Sequence, residues 1–326
     1  KGKKGTTTYK MLSLRKSVTS NPFVLGTTTT LTLCMLYMIA AKARGFASAG
    51  SSQAASKKLA HRGGGVNKIN PESIPLPSLL HRVVPKSELQ DQVLVVGDVH
   101  GCYDELQLLL KRVGYNDDPS KWTLIFVGDL VNKGPKSAEC VKFARESGAL
   151  CVRGNHDDAC LATYMRVGRY KDLPPDEYPK GREYVKDLTS ADAAWLRELP
   201  LSLALPSLGA LVVHAGLVPG PPLEEQLWGD LTRMRNVVEA EDGKGLEGNE
   251  KGDAGEPWVQ RWVGPAHVFF GHDAKRGLQL AAHATGLDTG ACYGKYLTAV
   301  VLPEHTLVQV KSFETYEAPG GPKVHF

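Results

Sequence analysis

From residue 93 onward the chain alternates short apolar runs with stretches of helical period. VLVVGDVH (93–100), TLIFVGDL (123–130) and ALCVRGNH (149–156) read as buried strands, and apolar residues at helical spacing predict helices near 103–113 and 135–147. Strand, helix, strand in that order predicts an α/β sheet with its active groups at the carboxyl ends of the strands. The later runs LVVHAG (211–216), HVFFGHD (267–273), LQLAAH (278–283), YLTAVVLP (296–303) and TLVQVKSF (306–313) have shorter connections. They predict a hairpin-rich second half, so the sheet is mixed. Residues 239–257 are acidic, rich in glycine and without period, the pattern of a solvated loop or insertion. A helix near 189–199, with Trp195 and Leu199, reads as core packing.

Ahead of these elements the pattern is different. Pro22 to Ala41 is twenty residues without a charge, which as a helix would rise about 30 Å and match a bilayer core. Basic residues flank it (Lys10, Arg15 and Lys16 before, Lys42 and Arg44 after), and a signal anchor, a cleaved secretory signal and an organellar transit peptide all fit. As an anchor, the larger basic excess on its N-terminal side favours a cytosolic short end and a catalytic body across the membrane. Residues 42–78, rich in Ala, Ser, Gly and Pro, read as a flexible tether, which leaves 79–326 as one catalytic domain behind an N-terminal basic segment, 1–41.

Charge sharpens this division. Residues 1–71 hold twelve Lys and Arg and not one Asp or Glu, so the remainder carries 27 basic and 35 acidic residues. Its bulk charge is not that of a nucleic-acid binder. Six cysteines with no CxxC pair exclude a disulfide scaffold.

The chemistry lies at the strand ends. GDVHG (97–101), GDLVNKGP (128–135) and GNHD (154–157) each follow a strand, and VHAG (213–216) and FGHD (270–273) repeat the theme. An apolar strand has no packing use for a carboxylate or imidazole at its tip, and five such tips are not five ordinary turns. Together they offer carboxylates from Asp98 and Asp129, imidazoles from His100, His214 and His272, and an amide oxygen from Asn155. Mixed oxygen and nitrogen donors suit Mn, Fe, Zn or Co. A carboxylate can bridge two such cations, and a cation pair can hold both the attacking hydroxide and the phosphate oxygens of an in-line displacement.

These five blocks, in this order, resemble the metallophosphoesterase superfamily and within it the phosphoprotein phosphatase group. GDLVNKGP, LTRMRN (231–236), FGHDAKRGLQ (270–279) and GLDTGACYGKYLTA (286–299) are similar to the eukaryotic ApaH-like phosphatases, relatives of bacterial bis(5'-nucleosyl)-tetraphosphatase. The resemblance implies a calcineurin-like sandwich of two mixed β-sheets flanked by helices, with two divalent metal ions. Asp98 and His100 would hold one metal, Asp129 would bridge, and Asn155, His214 and His272 would hold the other. His156 would protonate the leaving oxygen, and Lys133 and Arg235 would contact substrate phosphate; Arg153, next to GNHD, is a further candidate contact by position alone.

The chain also departs from the protein Ser/Thr phosphatases, which read GDxVDRG and GNHE. Here Asn132 and Lys133 replace the Asp and Arg, and Asp157 follows His156. Without that Asp the catalytic His loses an anion that would raise its pKa, and Lys133 offers phosphate a point charge in place of a fork. Both changes weigh against phosphoprotein substrates, and the ApaH-like resemblance implies phosphoanhydrides: dinucleoside polyphosphates first, then capped RNA ends or inorganic polyphosphate. A luminal, membrane-anchored body favours polyphosphate, and a mitochondrial or cytoplasmic one favours nucleotides. Two groups stay open between readings. Lys275 and Arg276 either line the site or form a solvated face, and Trp228, Trp258 and Trp262 form either a base-stacking platform or core.

Overall fold

The computed structural model describes residues 74–167, 178 and 181–318. The uncharged stretch 22–41 and most of the tether lie outside the described residues. No helix among the described residues is long and apolar enough to cross a membrane. Ile74 is already buried in the core, so the folded body extends N-terminal of Leu79, where the tether was expected to end.

Two large sheets pack face to face. In chain order the first seven strands are β1 (His81–Val83), β2 (Gln92–Val96), β3 (Trp122–Phe126), β4 (Leu150–Cys151), β5 (Ser202–Leu205), β6 (Ala210–Val213) and β7 (Asn236–Glu239). The remainder are β8 (Leu246–Asn249), β9 (Glu256–Pro257), β10 (His267–Phe270), β11 (Gln279–Leu280), β12 (Ala284–Gly286), β13 (Tyr296–Leu302) and β14 (Thr306–Lys311). One sheet runs β14-β13-β2-β3-β4, the other β1-β5-β6-β10-β12-β11. Both are mixed: β2, β3 and β4 are mutually parallel with β13 antiparallel to β2, while β6, β10 and β12 are parallel with β5 antiparallel to β6. The hairpin-rich second half is therefore only partly present, since its central strands pair in parallel.

Side-chain alternation sets the layers. Along β2, Val93 and Val95 join Ile125, Leu203, Val212 and Phe269 in a core between the sheets, whereas Leu94 and Val96 face the other way. There they meet Leu106, Leu109 and Leu110 of α1 (Tyr103–Val113) and Val141 of α2 (Ser137–Glu146). Burial on both faces is why these strands are continuously apolar. Each such side chain contributes about 1.5–3 kcal/mol. Helix α1 ends at Gly114, whose φ of 81° is a left-handed C-cap. Among the helices that follow are α3 (Asn155–Val167) and α4 (Ser190–Arg197), which opens on a capping box between Thr189 and Asp192.

Residues 239–257 are loop only between short strands. With Asn236–Val238 they form a third, antiparallel sheet in the order β8-β7-β9. Its signal is hidden because Gly248 and Gly255 occupy positions where a Cβ would sit 2.0 Å from Asp230 and from the Val237 carbonyl, so close packing replaces the usual alternation of large side chains.

Candidate metal centre

The five polar tips converge. Asp98 follows β2, Asp129 follows β3, Asn155 and His156 open α3, His214 follows β6, and His272 follows β10. The backbone at His100, Asp129 and His272 takes positive φ (47°, 51° and 67°), an unfavourable conformation for non-glycine residues. The neighbouring glycines are there for clearance: a Cβ on Gly271 would lie 1.8 Å from the Asp98 carboxylate, and one on Gly154 would lie 2.2 Å from that of Asp129.

Asp129 is the hub. Its Oδ1 lies 3.4 Å from His214 Nε2 and its Oδ2 lies 3.5 Å from His100 Nε2. Asn155 Oδ1 is 3.1 Å from His214 Nε2 and 3.0 Å from His272 Nδ1. Asp98 is 4.0 Å from His100 and accepts the His272 backbone N–H. Two donor groups result, each able to hold a metal ion: His100, Asp129 and His156 in one, Asp129, His214 and His272 in the other.

Second partners fix the imidazoles. His214 Nδ1 donates to the Val127 carbonyl at 2.8 Å and His100 Nδ1 to that of Val131 at 3.0 Å. Each therefore carries a proton on Nδ1 and turns Nε2 inward as the nitrogen that a metal ion would bind. Asp157, one residue beyond His156, accepts the backbone N–H groups of Asp129, Leu130 and Gly154, so a single carboxylate ties two ligand loops together.

The electrostatics are those of a site built for cations. Burial, with Asp288 and then Asp129 nearby, raises Asp98 well above the usual carboxylate range. Burial opposes the charge on Asp129 too, but His214 and His156 beside it hold its pKa well below that range. Although burial lowers His214, the Asp129 carboxylate pushes it up to about 10. Burial and the Lys133 ammonium depress His100 to about 3 and also hold His156 far below an ordinary imidazole. Buried carboxylates and imidazoles crowded together in this way fit divalent metal ions, which would take the place of the protons they now share.

The structure sorts the remaining candidates. Lys133 reaches the centre, with Nζ 2.7 Å from His100 Nε2 and 5.2 Å from the Tyr293 ring centre. Arg235 sits at its other edge, where its charge lowers the pKa of His272 after burial has done so. Arg153 does not reach it. Its side chain is fully buried, paired with Asp158 at 2.8 Å, bonded to the carbonyls of Pro75 and Arg197, and stacked over Trp228. Arg153 is thus a structural cation and not a substrate contact. Trp228 and Trp258 are core, with Trp228 Nε1 donating to Asp158, and the partly buried Trp262 packs edge-on to Trp258 with its Nε1 donating to the Ala266 carbonyl, so the three present no shared stacking face. Burial pushes the Cys102 thiol far up, as befits a packing residue. Asp273 and Asp288 are absent from the sequence analysis, and Asp157 enters it only as a departure from GNHE, although each lies inside a motif that carries the resemblance.

Comparison with known proteins places this centre in context. The family model for calcineurin-like phosphoesterases matches residues 92–276. The symmetrical bis(5'-nucleosyl)-tetraphosphatase of Actinobacillus pleuropneumoniae serotype 5b (strain L20) is 42% identical over 135 residues, covering 41% of this chain and 48% of the relative. This chain therefore spans about half the length of that relative. The protein of the same name from Coxiella burnetii (strain Dugway 5J108-111) is 32% identical over 265 residues, covering 64% of this chain and 87% of the relative. A crystal structure named for a candidate diadenosine tetraphosphatase superposes with a TM-score of 0.64 at 33% identity, over 72% of this chain and 99% of that one.

Proposed function

The chain belongs to the calcineurin-like phosphoesterase family, and we propose that it is a hydrolase of phosphoanhydrides, with dinucleoside polyphosphates of the diadenosine tetraphosphate type as its substrates. The observation that carries this reading is Asp129, whose two oxygens are divided between the two donor groups, one toward His214 and one toward His100. The names of the relatives supply the substrate class.

In this reading Asp98 and His100 would hold one divalent cation, Asn155, His214 and His272 would hold a second, and Asp129 would serve both; Mn, Zn, Fe and Co suit these donors. When bound, such ions would supply Lewis-acid polarisation of the phosphate and an activated nucleophile. The protein's own part is to hold and orient. Lys133 neutralises phosphate charge at the His100 side, Arg235 does so at the His272 side, and His156 presents Nε2–H to the departing oxygen.

The state of His156 separates anhydrides from phosphoproteins. Asn132 Nδ2 lies 2.8 Å from His156 Nδ1, and Asn132 Oδ1 already accepts the Lys133 backbone N–H at 2.9 Å. The amide therefore donates a hydrogen bond to the ring and accepts none from it, and with burial and Lys133 nearby the imidazole stays neutral. A neutral imidazole is a weak acid. It can stabilise a departing phosphate, whose second ionisation lies near about 6, but is poorly suited to a serine alkoxide, which needs full protonation.

For attachment we propose that 22–41 ties a luminal catalytic body to a membrane, with a mitochondrial or cytoplasmic placement as the alternative; resistance of the full chain to alkaline carbonate extraction tests it. The substrate test offers the full chain diadenosine tetraphosphate, capped RNA, long-chain polyphosphate and a phosphopeptide side by side, each with Mn, Zn, Co or Mg. Preference for the dinucleotide is the expected result. Activity on the phosphopeptide alone would overturn the reading.

A further inference from the structure

Beyond His272, Arg235 at the edge of the metal centre is joined by a second cation, Arg276, to which the reading above gives no part. Arg235 and Arg276 share the carboxylate of Asp273: Arg235 Nε approaches its Oδ1 at 3.5 Å, and Arg276 Nη1 hydrogen-bonds its Oδ2. Arg276 Nη2 also donates to Asn236 Oδ1 at 2.6 Å, and Arg235 Nη1 donates to the Glu250 carbonyl at 2.7 Å. The small third sheet holds both. Asn236 begins β7, Arg235 N–H donates to the Asn249 carbonyl of β8, and Gly252 leaves no side chain over them, since a Cβ there would lie 3.3 Å from Arg235.

Two guanidiniums on one buried carboxylate leave a surplus positive charge. Both side chains are partly exposed, at 22% and 29%, while Asp273 is 4% exposed, so an incoming anion meets the cations and not the acid. Fixed, planar forks of this kind suit phosphate oxygens. Lys133 stands at the His100 side of the centre and this pair at the His272 side, so the metal donors lie between cations.

We propose that Arg276, paired with Arg235 and positioned by Asp273, forms a second phosphate subsite that holds a phosphate of the substrate chain other than the one attacked. The proposal rests on the phosphoanhydride reading and deepens it, because the third sheet then makes the enzyme selective for chains of phosphates over single phosphate esters. Asp273 is a positioning residue here, since its own charge would repel the anion.

The test compares the full chain with Arg276→Met and Arg276→Lys. In calorimetry after EDTA treatment, the Met variant should lose at least ten-fold in tripolyphosphate affinity relative to its loss for orthophosphate, and the Lys variant should lose less. In turnover with Mn, the ratio of kcat/KM for diadenosine tetraphosphate to that for p-nitrophenyl phosphate should fall at least ten-fold in Arg276→Met, chiefly through KM. Equal losses for both anions, no tripolyphosphate binding by the parent chain, or an unchanged ratio would overturn the subsite. Failure of the parent chain to cleave diadenosine tetraphosphate would overturn the functional reading, and the calorimetry would then judge the subsite alone.

Discussion

The side-chain amide nitrogen of Asn132 lies 2.8 Å from Nδ1 of His156, and the same amide's oxygen is taken by a backbone N–H. That contact fixes the imidazole as an acceptor at Nδ1 and places its proton on Nε2, which faces Asp129 at 4.0 Å. Replacing Asn132 by Leu should release the ring and lower kcat roughly ten- to hundred-fold with metal content retained. Asn132→Asp should instead favour the imidazolium, because a carboxylate at Nδ1 raises the ring's pKa and moves any limb of the rate profile that belongs to His156 to higher pH. Steady-state rates across pH for both variants check this; an Asp variant with an unmoved profile would count against the assignment.

Asp129 and His156 occupy one donor group but have different parts to play. Asp129 touches both groups, while His156 stands 13% exposed at the edge of one. Asp129→Ala should therefore strip metal as well as activity, and His156→Ala should lose activity with metal kept. Metal per chain measured by mass spectrometry distinguishes them, and equal depletion in both would sink the division of roles.

Much of this centre was legible because chemistry and packing disagree at the strand tips. Asp98, His100, Asp129, Asn155, His214 and His272 are polar residues that an apolar strand has no reason to carry, so pattern alone exposed them. Arg153 misled for the opposite reason. It stands next to GNHD in sequence, but its buried partner Asp158 draws it into the interior, and adjacency along a chain does not fix which way a side chain turns. Arg276 could not be resolved because its role depends on Asn236 and Asp273, which only the fold brings beside it. The third sheet was hidden in the same way: four-residue strands with glycine at close contacts lack the alternation that marks a strand.

Arg153 leads to a prediction about stability. Its guanidinium and the Asp158 carboxylate are both fully buried, and their approach is more electrostatic than a well-aligned hydrogen bond. Arg153→Met leaves Asp158 with the Trp228 indole N–H. Removing one member of a buried ion pair costs about 3–5 kcal/mol, so the urea midpoint should fall sharply. Adding Asp158→Leu should recover much of the loss, since the uncompensated charge then disappears. A single variant as stable as the parent would show that the pair is not a structural requirement.

His81 and His267 set a pH limit away from the metal centre. His81 Nδ1 bonds Ser202 Oγ at 2.9 Å and His267 Nε2 bonds Thr285 Oγ1 at 2.9 Å. Burial lowers each pKa from 6.5 to about 4. Between those values the unfolded chain takes up protons that the folded chain refuses, so stability rises with pH across that window. The contribution is whole above 6.5, is lost as pH falls, and is gone below about 4. Thermal melting followed from pH 7 to 4.5 should show a steady loss, and the double variant His81→Gln with His267→Gln should lose less, because neither position can then bind a proton in the unfolded chain. Carboxylate titration acts on both proteins alike, so the difference between the two curves isolates the histidines, and parallel curves would refute their part in the acid limit.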